Sequence, residues 1–130
     1  MDSPFESRDL SRYRNDEPLI RETAEQVIKD FHLFEMEINF SGEYGTPYDE
    51  LYAQAQPLIL RMLLEDTGKL YALMYQIDVP DTWWARIREE SEPSAVAHRI
   101  TDAILQRELL KVLTRNYFRQ GRVKGPDLNF

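Results

Sequence analysis

The chain has 130 residues, carries 23 acidic against 16 basic side chains for a net charge of −7, and contains no cysteine. That length suits a single domain that folds without staples. The missing cysteines exclude disulfides, thiol chemistry and thiolate metal sites, and the acidic balance disfavours nucleic acid as a partner. The charge is unevenly spread: 15 acids face 6 basic residues up to Asp66, and 8 face 10 from Thr67 onward.

Residues 1–16 are polar with no recurring apolar period and are expected to form a flexible N-terminal arm. They lack the apolar block of a secretory signal or anchor. The longest apolar-rich stretch, Pro57 to Leu64, is interrupted by Arg61 and is far shorter than the roughly 20 residues a bilayer requires. No membrane contact is expected, and the cytoplasm is the default location.

A first helix is predicted from about Pro18, capped by Asp16 or Glu17, with Ile20, Ala24, Val27, Ile28 and Phe31 on one stripe. The period then changes. Phe34, Met36, Ile38 and Phe40 alternate with Glu35, Glu37 and Asn39, the two-residue repeat of a half-buried extended segment. A lone strand cannot pair its backbone, so this stretch either runs over the helices, the favoured reading, or pairs with the same stretch of a second copy.

Ser41 to Gly45 reads as a loop. Thr46 and Pro47 open a second helix whose inner stripe is Leu51, Ala55, Leu58, Met62 and Tyr48. Tyr52, Ile59 and Leu63 widen its apolar face, which marks it as the central helix. Pro57 inside it predicts a kink or short break. Asp66, Thr67 and Gly68 punctuate, and a third helix carries Leu70, Tyr71, Leu73, Met74 and Ile77. Asp81 and Thr82 then open a short helix with Trp83, Trp84 and Ile87. The last helix, about Glu92 to Phe118, buries Val96, Ile100, Ala103, Ile104, Leu110, Leu113 and Tyr117. Gly121 and Gly125-Pro126 end regular structure, leaving residues 119–130 as a flexible tail. The expected architecture is all-α: one compact bundle of about five helices over residues 17–118, with one extended segment near residues 34–40.

Chemistry is sparse. The two histidines, His32 and His98, lack the glutamate three residues earlier that di-iron bundles use. No nucleophile elbow, phosphate loop or zinc motif occurs. No catalytic residue, metal site or cofactor is predicted. Glu35 and Glu37 share one face of the extended segment, and with Tyr44 and Tyr48 they mark the place where a small-ligand pocket would lie. The competing explanation is that alternation alone demands polar residues there, and that loop tyrosines staple the loop to the bundle. Adjacent helical residues point about 100° apart, so Trp83 and Trp84 cannot share a narrow stripe. Burial of both in a sandwiched helix is the first expectation; a tryptophan at the bundle edge, anchoring a partner, is the second. Phe34, Met36, Trp83, Trp84, Arg115 and Arg119 are the candidate partner-binding residues. Arg107, Glu108, Lys111 and Arg115 read as a solvated or partner-facing stripe on the last helix, with Glu108 able to pair with Lys111.

The stretches Tyr75-Gln-Ile-Asp-Val-Pro80 and Ala103-Ile-Leu-Gln-Arg-Glu-Leu-Leu-Lys-Val-Leu-Thr-Arg-Asn-Tyr-Phe118 resemble a pattern in small uncharacterised bacterial proteins, over the C-terminal two thirds of the chain. The resemblance implies an all-helical bacterial cytoplasmic protein and brings no activity, cofactor or catalytic residue with it. The functional expectation is therefore a non-enzymatic helical protein that binds another protein or a second copy of itself. The alternative is a small ligand-binding domain or enzyme using the pocket region named above.

Overall fold

The computed structural model describes Tyr13, residues 16–42 and residues 47–119. The expected arm, tail and loop tip, with Tyr44 and Thr46, lie wholly or mostly outside the described residues. Five α-helices follow in order: α1 (Glu17–His32), α2 (Pro47–Glu65), α3 (Thr67–Ile77), α4 (Trp84–Ile87), preceded by a 3-10 turn at Asp81–Trp83, and α5 (Pro93–Arg119). The architecture is all-α, and no strand is formed among the described residues.

Local chemistry sets the helix ends. The Asp16 carboxylate accepts from the Leu19 N–H at 3.2 Å and Pro18 occupies the first turn of α1, so orphan donors are satisfied where proline has none to offer. Asp66 caps α3 in the same way, accepting from the Lys69 N–H at 3.1 Å. Two helices end on a left-handed residue that is not glycine: Glu35 after α1 (φ 62°) and Asp78 after α3 (φ 66°). In each, the next N–H reaches five residues back, Met36 to the Phe31 carbonyl and Val79 to the Met74 carbonyl, both at 3.1 Å. Buried Met36 and Val79 pack as the apolar lock of that cap.

The expected extended segment is corrected at its start: Phe34 and Glu35 belong to the turn that closes α1, and the non-helical run across the bundle is residues 36–40, with Met36 and Ile38 buried and Glu37 and Asn39 exposed. The segment is pinned at its end by Glu50 of α2. That carboxylate accepts from the backbone N–H groups of Ser41 (2.6 Å) and Gly42 (2.9 Å). Gly42 has φ 74°, and a Cβ there would lie 2.7 Å from the Arg21 guanidinium, so glycine answers both the backbone angle and the close approach.

Helix α5 is the hub. It packs against α1, α2, α3 and α4, and every residue from Ile100 to Gln106 is buried. A helix hidden on all sides for two turns is a core element, so the expectation that α2 is central is corrected. Helix α2 instead buries one stripe, Tyr48, Leu51, Ala55, Ile59 and Met62, and continues unbroken through Pro57. The exposed proline sits on the solvent side, where the missing hydrogen bond is left to water. Ion pairs and hydrogen bonds give the directions: along α1, Glu22 meets Arg115 and Asp30 meets Glu108, and along α2, Tyr48 meets Asp102 and Tyr52 meets His98. Helices α1 and α2 therefore both run antiparallel to α5.

Candidate functional site

One aromatic cluster lies at the surface where α3 and α4 meet. Trp84 is half-buried, with Tyr71 edge-on to it at 5.6 Å and the Arg88 guanidinium over its ring at 5.6 Å. These three side chains, with Leu63, Ile87, Glu90, Val96 and Ile100, line a groove of about 260 Å³. Tyr75, one turn beyond Tyr71, is 89% exposed, and Tyr71 is 54% exposed. The adjacent Trp83 is buried. Joint burial of the two tryptophans is thus corrected: the 3-10 turn into α4 aims Trp83 at the core and leaves Trp84 at the edge. Trp83 cannot serve as a surface anchor; Met36, at 8% exposure, shows only an edge to a groove, and Phe34 is half-buried.

A second groove, of about 500 Å³, lies between the extended segment and the junction of α2 and α3. Met36, Leu58 and Met62 supply its apolar lining. Glu35 and Glu37 stand on one side; Arg61, Glu65, Asp66 and Lys69 stand on the other. Arg61 is tied to Glu65 at 3.1 Å. Tyr48 does not reach this groove. It is buried at the opposite end of α2, where its hydroxyl donates to Asp102 Oδ1 and accepts from Gln106 Nε2, each at 3.0 Å. Glu35 and Glu37 are thus brought together, while Tyr48 belongs to an interior network. Beside that network the Tyr52 hydroxyl bonds His98 Nδ1; burial, then the Asp102 charge, raises the pKa of Tyr52.

Sequence reasoning missed a second interior polar pair. Glu108 has no exposed surface, which corrects its assignment to a solvated stripe. Its pKa is raised to about 9, first by burial, then by a hydrogen bond and repulsion from Asp30, against the opposing pull of Lys111. As a carboxylate it would have the Lys111 ammonium as its one donor and would face the Asp30 carboxyl. As a carboxylic acid it donates to Asp30, with Lys111 Nζ 3.2 Å from Oε1. Gln26 donates to Asp30 from the other side at 3.2 Å. The i, i+4 spacing of Gln26 and Asp30 was the one available signal. No cavity among those described opens onto this pair.

The basic end of α5 is engaged rather than free. Arg115 contacts Glu22 at 3.4 Å and Gln26 at 3.2 Å, and Arg119 lies 3.5 Å from Glu22. Arg107 and Lys111 reach the C-terminal end of α3, donating to the carbonyls of Asp78 (2.8 Å) and Ile77 (3.1 Å), where cations complement the helix dipole. Among the described residues no three His, Cys, Asp or Glu side chains are grouped to hold a metal ion, and no helix is long and apolar enough to cross a membrane. No protein-family model, curated protein or solved structure matches the chain.

Proposed function

We propose that the protein acts by binding, not by chemistry of its own, and that its aromatic face joins a second copy of the chain in a bacterial cytoplasm. The supporting observation is the Trp84 cluster: a half-buried tryptophan, held by Tyr71 and Arg88 beside an apolar groove. Tryptophan, tyrosine and arginine are the side chains that dominate interface energetics when water is excluded from them. Arg88 and Glu90 line the same groove, so a two-fold axis through it would set cation against anion, as an isologous contact requires. The groove lining holds one acid, Glu90, and one base, Arg88, so two copies of a chain of net charge −7 would meet there on a locally balanced surface.

Collisional quenching of tryptophan fluorescence by acrylamide tests the reading. Trp83 is buried in the single chain and Trp84 is not, so self-association predicts quenching that falls as protein concentration rises. Tyr75→Glu, at an exposed position, should abolish that dependence while leaving the far-ultraviolet spectrum unchanged. Quenching independent of concentration in the unsubstituted chain would overturn the proposal.

A further inference from the structure

The larger groove lies apart from the aromatic face and calls for a different occupant. Met62 and Leu63 are neighbours in α2 but line different grooves, as expected for side chains about 100° apart on a helix. The lining combines two methionines and a leucine, and methionine is the side chain best suited to repack around varied apolar groups. Its charge is one-sided. Glu35 and Glu37 are exposed and make no ion pair among the described residues, whereas Arg61, the cation facing them, is already held by Glu65. The Asp66 carboxylate is turned to the α3 backbone, and Lys69 alone remains to balance two free glutamates. An apolar trough with a net negative rim is complementary to an amphipathic segment with cationic flanks.

We infer that this groove docks a short basic amphipathic segment of a partner protein, apolar residues seated on Met36, Leu58 and Met62 and lysines or arginines facing Glu35 and Glu37. The inference is independent of self-association through Trp84, since the two surfaces share no lining residue. The groove size is within the range of sites that take compact ligands, so it accommodates a few side chains of such a segment rather than a whole helix surface.

The test uses the full chain and a fluorescein-labelled 14-residue peptide of leucine and lysine, its leucines at helical spacing. Fluorescence anisotropy at low salt should show saturable binding. The double substitution Glu35→Gln with Glu37→Gln should weaken it at least threefold. Arg61→Gln, which removes a rim cation, should tighten it. Glu25→Gln with Glu92→Gln makes the same charge change at exposed positions elsewhere and should leave the affinity unchanged. Circular dichroism melts confirm that each variant folds. No saturable binding would overturn the inference. So would equal weakening by the Glu25 and Glu92 pair, which would mean attraction by net charge alone. A lysine–serine peptide binding as tightly would remove the apolar lining from the account and overturn it. Displacement of the peptide by spermine at lower concentration than unlabelled peptide would reassign the groove to a small polycation.

Discussion

Glu108 of α5 faces Asp30 of α1 inside the bundle, two carboxyls at 0% and 3% exposure joined by a side-chain hydrogen bond. Burying an acid pair costs less when one member stays neutral and donates a hydrogen bond to the other. Lys111, 3.2 Å from Glu108, supplies the nearest positive charge and is itself bound to the end of α3. The contact therefore links α1, α3 and α5 through one polar point.

That arrangement makes stability depend on pH with a definite sign. The Glu108 pKa is about 9 folded against an ordinary 4.5, so the folded chain holds more protons between those values. The contribution is fully present below pH 4.5 and is lost as pH rises toward 9, at up to about 1.4 kcal/mol per pH unit. Urea unfolding should show stability falling between pH 6 and pH 9. Glu108→Gln keeps a donor toward Asp30 and cannot ionise, so its stability should fall less over that interval. An unchanged slope in the variant would place the titration elsewhere.

The left-handed caps make a paired prediction. A side chain at positive φ costs about 1 kcal/mol relative to glycine. Glu35→Gly should raise stability by about 0.5–1 kcal/mol, because the glutamate has no ion pair to lose, while weakening the basic peptide in the groove. Asp78→Gly gains the same backbone relief but loses its contact with Arg107 (3.1 Å), and should be neutral within about 0.5 kcal/mol. Thermal melts of the two variants, read side by side, check the contrast.

The interior tyrosine network should be costly to break. Tyr48→Phe removes the hydroxyl that serves Asp102 and Gln106 at once, and loss of hydrogen bonds at buried polar groups costs about 1–3 kcal/mol. Urea denaturation should show that loss with an unchanged m-value, since packing of the ring is retained.

Much of this fold is legible in the residues. The cap at Asp16, Pro18 and the stripe from Ile20 to Phe31 give α1 directly, and the alternation from Phe34 to Phe40 puts Met36 and Ile38 inward although no strand forms. The role of α5 is not legible, because Glu108 reads as part of a solvated stripe and no local spacing marks Thr101, Asp102 and Gln106 as interior. Their partners come from far along the chain: Tyr48 is 54 residues from Asp102. Thr101 instead satisfies itself, donating to the Ala97 carbonyl at 2.7 Å. The same gap governs the candidate sites. Both tryptophans stand out by type, but only the 3-10 turn at Asp81–Trp83 decides that Trp84 is the one left at the surface. The groove beside Glu35 and Glu37 needs Met62 and Arg61, which sequence spacing does not bring to them.

Sedimentation equilibrium of the full chain, run at rising concentration, tests self-association through the aromatic face most directly. The account predicts a mass climbing from one chain toward two, and a single-chain mass throughout for the combined Tyr75→Glu and Arg88→Glu variant. A single-chain mass for the unsubstituted protein at every concentration would contradict it.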